Sequence, residues 1–155
     1  MAAAERGALT DARRYLQAMT RIKSGTLGLL EPLYWWAEAA VARAEGQLTT
    51  ATTALHRAVE GYSAMNALAL VQFALADLAE VTAIAGDWGA AASAAQRAED
   101  NARCTGAPVH QTLYLQATAW ALIGLGRREA STQAALRAVE GFSSRGYVLL
   151  AARAR

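Results

Sequence analysis

The amino-acid sequence predicts an all-α fold, a solenoid of antiparallel helix pairs with a period of 40 residues. Three observations predict it. Glycines stand at Gly46, Gly86 and Gly126, each 40 residues from the next. An Arg-Ala step follows each at the same distance, as Arg57-Ala58, Arg97-Ala98 and Arg137-Ala138. The segment Val59-Glu60-Gly61-Tyr62-Ser63 returns as Val139-Glu140-Gly141-Phe142-Ser143. Self-similarity at one fixed period, without a gap, is the signature of a stacked repeat, because each copy must present the same faces to its neighbours.

The elements follow in order. Counting back one period from Ala58 lands on Ala18, inside a helical pattern from Leu9 to Ile22. This reads as the second helix of a partial repeat over residues 1–28. Lys23-Ser24-Gly25-Thr26-Leu27-Gly28 reads as an inter-helix loop. The first full pair covers 29–66. Pro32 sits in the first turn of its first helix, where proline is tolerated, and apolar residues recur at helical spacing from Leu33 to Ala44. Gly46 breaks that helix, because glycine enters the positive-φ region of a C-cap at no steric cost. A second helix follows from about Leu48.

The second pair covers 67–106, with its turn at Gly86-Asp87. Asp87 is a good N-cap, since its carboxylate can accept from a free amide of the next helix's first turn. The third pair covers 107–146, with Pro108 in its first turn and Gly126-Arg127 between its helices. Residues 147–155 read as the start of a further first helix.

Two residue sets compete for the ends of the second helices: Gly61, Asn101 and Gly141, or Asn66, Gly106 and Gly146. Both contain only residues that tolerate the left-handed conformation. The later set is preferred, because it equalises helix lengths and places Pro108 at a helix start. Neither terminus is obviously polar, whereas a solenoid needs polar caps. The expectation is that the sequence belongs to a longer protein, or that another subunit covers its ends in a homo-oligomer.

Composition narrows the function classes. With 155 residues, 54% of them hydrophobic, 18% charged and only two prolines, the chain is long and apolar enough for a sizeable core. Alanine supplies much of the apolar fraction, and it combines high helix propensity with close helix approach. The net charge is +2, from 15 basic and 13 acidic residues with no block of like charge. Apart from the short tail Arg153 and Arg155, no basic face is evident, so direct nucleic-acid binding is not expected.

A single cysteine, Cys104, forbids an intrachain disulfide and fits a cytoplasmic location. Met1 to Arg6 lacks the apolar run of a signal peptide. The longest apolar stretch, Ala67 to Ile84, carries Gln72, Asp77 and Glu80, which suits a buried helix better than a membrane span.

No residue pattern points to catalysis, a metal or a cofactor. His56 and His110 are the only histidines. Cys104 and His110 lie six apart with no third ligand or orienting group in view. The Lys23–Gly28 glycines follow no strand, as a phosphate loop would require. Asp77 and Glu80 share a helix face, an arrangement far commoner on solvated faces than in acid–base pairs.

Gly86-Asp87-Trp88-Gly89-Ala90-Ala91, with Ala98 seven residues on, resembles the turn and second helix of a tetratricopeptide repeat. Trp35 falls where that family often has its first-helix tryptophan. The family period is 34, so the longer period here implies longer helices. Alanine-rich repeats of this length resemble the C-terminal sensor regions of large LuxR-type ATPase regulators of actinobacteria. Gly126-Arg127-Arg128-Glu129-Ala130 through Ala138-Val139 and Gly146, then Ala151-Ala152-Arg153-Ala154-Arg155, is similar to their closing repeats. The nucleotide-binding and helix-turn-helix domains of those regulators are not part of this sequence. HEAT repeats have a compatible period, but their proline and Asp/Arg placement is not seen.

The resemblance implies a right-handed solenoid whose first helices line a concave face. Aligned on the repeating glycines, the groove positions are Leu33, Trp36, Ala40 and Arg43, then Phe73, Ala76, Glu80 and Ala83, then Leu113, Gln116, Trp120 and Ile123. Trp36 and Trp120 have two readings, as groove anchors or as packing between helices. Trp35 and Trp88 read as core. The implied function is a non-catalytic protein-interaction or sensory module of a bacterial regulator, docking a protein or peptide. The alternatives are a small-ligand sensor using Trp36, Glu80 and Trp120, and a structural oligomerisation domain.

Overall fold

A computed structural model describes residues 9–26 and 30–153. Among the described residues there are eight α-helices and no strand: α1 (Leu9–Thr26), α2 (Glu31–Ala44), α3 (Leu48–Ala64), α4 (Leu68–Ile84), α5 (Trp88–Thr105), α6 (Pro108–Gly124), α7 (Arg128–Ser143) and α8 (Val148–Arg153). Met1 to Arg6, Leu27, Gly28 and Arg155, on which sequence expectations were also placed, lie outside the described residues.

The turns repeat because their hydrogen bonds repeat. Gly46, Gly86 and Gly126 have φ of 75°, 81° and 69°. After each, the next amide donates to a carbonyl five residues back: Gln47 to Ala42 (2.8 Å), Asp87 to Thr82 (2.9 Å) and Arg127 to Leu122 (3.1 Å). This closes orphan carbonyls of the preceding helix and needs the left-handed residue between. The second helices end at the later of the two sets. Asn66, Gly106 and Gly146 have φ of 53°, 62° and 74°, whereas Gly61, Asn101 and Gly141 lie inside helices. Asp87 caps α5, its carboxylate accepting from the Ala90 amide at 2.9 Å. Pro32 and Pro108 stand at the starts of α2 and α6.

One expectation is corrected here. Lys23 to Thr26, expected in a loop, are the last residues of α1. A glycine costs only about 1 kcal/mol in a helix interior, so Gly25 does not suffice to stop one.

The chain divides into two compact units, residues 1–67 and residues 68–155. In the first, α2 packs against α1 and α3. Ala12 and Leu16 of α1 meet Val41 of α2, flanked by Leu9, Tyr34 and Ala37. Arg13 ties the same helices. Its guanidinium donates to Glu38 (3.1 Å) and, through two nitrogens, to Glu45. That pairing holds the Glu45 carboxyl below its ordinary range. In the second unit α4 packs against α5 and α6, α6 against α5 and α7, and α7 against α8.

The helices α3, α5 and α7 bury the same register; α1, expected as the second helix of a partial repeat aligned on Ala18, instead leaves Ala18 exposed and buries Ala12 and Leu16, where it meets α2. Ala51, Ala54, Ala58 and Tyr62 line α3; Ala91, Ala94, Ala98 and Ala102 line α5; Ser131, Ala134, Ala138 and Phe142 line α7. The spacing of three, four and four forms one helical stripe. Alanines on that stripe let the partner helix come close. Where α7 has Ser131, its hydroxyl donates to the Ala119 carbonyl of α6 at 2.8 Å, so the buried oxygen is satisfied.

The repeated glycines of the Val-Glu-Gly segment have a different role from a helix end. A Cβ on Gly61 would lie 2.4 Å from Pro32 Cγ, and one on Gly141 would lie 2.7 Å from Thr112 Oγ1. Both mark the close approach of a second helix to the start of its first helix. The middle pair solves the same contact with polar groups. Asn101 Nδ2 donates to Gln72 Oε1 (2.7 Å) and to the Leu68 carbonyl (2.9 Å). Gln72, with no exposed surface, donates onward to the His110 carbonyl at 3.1 Å. The His110 ring, also buried, meets Thr105 Oγ1 through Nδ1 at 2.7 Å. This chain of bonds joins α4, α5 and α6.

Burial holds the His110 imidazole below its ordinary pKa of 6.5. The folded state therefore disfavours the protonated ring. Its contribution to stability is full above pH 6.5 and is lost as pH falls from there through the lower folded value. In urea melts across this range, His110→Gln is expected to flatten the pH dependence of the midpoint. An unchanged slope would assign the acid sensitivity to other groups.

Candidate functional site

Trp35 does not sit in the core. At the same register α4 carries Leu75, which is 1% exposed, and α6 carries Leu115, which packs partly buried. Trp35 is half-buried, as Leu115 is, with its ring against α3. Its Nε1 reaches the Glu31 carboxylate one helical turn back, at 3.3 Å. Arg57 of α3 lies over the ring, its guanidinium carbon 4.3 Å from the centroid. Such a cation–π contact stabilises by about 0.5–1 kcal/mol at an exposed site. It also holds both groups in place at the surface.

Two open clefts flank this stack, both within the first unit. The larger, about 360 Å³, is lined by Glu31, Pro32, Glu60, Gly61, Ala64 and Met65 together with Trp35 and Arg57. The smaller, about 330 Å³, lies against Tyr34, Glu38, Thr49, Thr50 and Thr53 on the other side. The local cause is the Gly61–Pro32 approach, which brings α2 and α3 together at the floor of the larger cleft. The site thus combines an aromatic ring, a fixed cation, carboxylates and a small apolar floor. That mixture suits anchoring of a side chain.

The groove residues expected from sequence fall into different environments. In the first unit Trp36 is half-buried, its ring edge-on to buried Tyr62 with centroids 6.2 Å apart. Leu33 is exposed, and Ala40 and Arg43 are half-buried. In the second unit Phe73 packs against the cluster of Ala76, Leu113, Ala138, Phe142 and Ala151. Glu80, Asp77 and Trp120 are half-buried, Ala83 is buried and Ile123 is exposed. Leu113, at 2%, and Gln116, at 5%, are buried in the second unit, Leu113 within the cluster around Phe142.

Trp88, expected in the core, is 38% exposed. Its ring packs against Gly124, where a Cβ would lie 2.1 Å from Trp88 Cδ2. His56 and Cys104 are exposed. Among the described residues no three His, Cys, Asp or Glu side chains come together, and no described helix is long and apolar enough to cross a membrane.

The Trp35–Arg57 face was missed in the sequence because tryptophan at helical spacing reads as core. A signal was nonetheless present: the repeat register sets Trp35 beside Leu75 and Leu115. Comparison of the chain with models of known families, with curated proteins and with solved structures gives no match.

Proposed function

We propose that the chain is a non-catalytic protein-interaction or sensory module, a tetratricopeptide-like right-handed solenoid of antiparallel helix pairs belonging to a bacterial regulator of the cytoplasm. The observation that carries this is the Trp35–Arg57 stack standing open between two clefts on α2 and α3. A half-buried ring held by Arg57 on its face and by Tyr34 at its edge offers a rigid anchor to a partner segment. The 40-residue recurrence of turns and buried stripes supports the solenoid.

Selection of displayed random peptides on the purified chain tests the proposal. Enrichment of peptides that no longer bind Trp35→Leu is expected. No enrichment, or enrichment indifferent to Trp35, would overturn it. Leucine is the natural residue at this register in α4 and α6, so the variant is expected to keep its fold.

A second reading, self-association, is favoured by the apolar surface of α8. Val148 is 74% exposed and Leu149 81%. Light scattering that shows a dimer, reduced to a monomer by Leu149→Glu, would support it.

A further inference from the structure

We propose that α1 is a brace that switches the Trp35 site, keeping Arg57 on the indole by keeping the Glu38 carboxylate occupied; this rests on the interaction reading above. Arg13 of α1 donates to Glu38 at 3.1 Å and, through two further nitrogens, to Glu45. Glu38 also lines the smaller cleft, with Trp35 and Arg57. Among the described residues lining that cleft, Glu38 is the one carboxylate and Arg57 the one cation. One carboxylate is thus set against two guanidiniums. Arg13 holds it, and Arg57 lies over the indole instead. The exchange between them is close to balanced. The Glu38 side chain is only 16% exposed, so water hydrates it poorly once Arg13 leaves, and it then draws the other cation. What Arg57 gives up, a cation–π contact near the surface, is of the same small order as the ion pair it gains.

Two features make α1 suited to this. Its docking is light, since Ala12 and Leu16 are the buried residues among its described side chains. The repeat supplies the second. Arg57 recurs as Arg97 and Arg137, but the register of Glu38 holds Leu78 and Thr118, and that of Trp35 holds Leu75 and Leu115. The combination of ring, cation and carboxylate is confined to the pair on which α1 docks, whereas a feature needed only for stacking repeats would recur with the period. Linkage then works in both directions. A ligand that needs Arg57 on the ring strengthens α1 docking by the factor by which docked α1 strengthens the ligand.

The test labels the tryptophans of the full chain with fluorine and follows their resonances. Arg57→Gln gives the Trp35 resonance without its guanidinium and serves as the reference. Arg13→Gln is expected to move Trp35 most of the way to that position and to leave Trp36, Trp88 and Trp120 in place. Adding Glu38→Gln to Arg13→Gln should return Trp35, because the cleft then has no carboxylate to draw Arg57 away. Arg14→Gln removes the same charge from the same helix, but Arg14 pairs with Asp11 of α1 at 3.1 Å, so it should move nothing. A merely structural loss in α2 would shift the neighbouring Trp36 as well and would not be reversed by Glu38→Gln. Leu16→Ser, which undocks α1 through its apolar contact, should move Trp35 in the same direction, with amide exchange in α1 as the measure of undocking.

A Trp35 resonance that stays fixed in both Arg13→Gln and Leu16→Ser, or a shift that Glu38→Gln does not reverse, would overturn the brace. If displayed peptides still depend on Trp35 in that case, the interaction reading stands without it. If the resonances move as expected but no peptide is enriched, the interaction reading falls, and the claim that a binding site is switched falls with it.

Discussion

Replacing Phe142 with alanine is expected to destabilise the second unit by about 3–5 kcal/mol, the largest single effect in the chain. Phe142 has no exposed surface and stands among Ala76, Leu113, Ala138 and Ala151. Phe73, Val109, Leu115 and Leu150 also pack against this cluster, and how far they move into the space left by the ring sets where in that range the cost falls. Urea melts of the variant should show a lower midpoint at an unchanged slope. A loss below about 1 kcal/mol would mean that α7 and α8 can collapse onto the space.

Tyr62 provides the contrast at the same register. It is 2% exposed, and its hydroxyl finds no hydrogen-bond partner among the described residues. Tyr62→Phe is expected to leave stability unchanged or raise it by up to about 1 kcal/mol, because a buried unsatisfied oxygen is removed while the ring remains.

Gly61→Val is expected to cost about 3 kcal/mol in the first unit. The new Cβ would stand 2.4 Å from Pro32 Cγ and 3.1 Å from its Cβ. A flexible side chain could swing aside from such a contact. The pyrrolidine ring cannot, since it closes on its own backbone nitrogen, so α2 and α3 must separate. The gain from removing a helical glycine, at most about 1 kcal/mol, does not offset this. Pro32→Ala in the same chain should recover part of the loss, measured as a double-mutant cycle. An additive cycle would show that Gly61 is required for another reason. The separation should also widen the cleft beside Trp35 and weaken any ligand bound there.

Much of the fold was legible in the residues. Gly46, Gly86 and Gly126 announce their turns because few other residues can hold φ near 75°. Asp87 and Pro108 announce helix starts for equally local reasons, a short carboxylate facing free amides and a ring that needs no donor. The buried stripe of alanines is visible as a period. What the residues did not show was whatever depends on the facing helix. Asn66, Gly106 and Gly146 end the second helices as the sequence predicts, but the contacts that require Gly61 and Gly141, with Pro32 and Thr112, were not visible. Gly25 looks like a break and lies in a helix.

The site divides in the same way. The sequence by itself determined that the chain is helical and where the turns after Ala44 fall, because those depend on backbone geometry and on spacing within one segment. Only the tertiary structure decided that Trp35 stays at the surface under Arg57, that Leu113 and Gln116 fill the interior, and that two clefts open on α2 and α3. Those outcomes depend on how much room the opposite helix leaves, a distance that no single helix encodes.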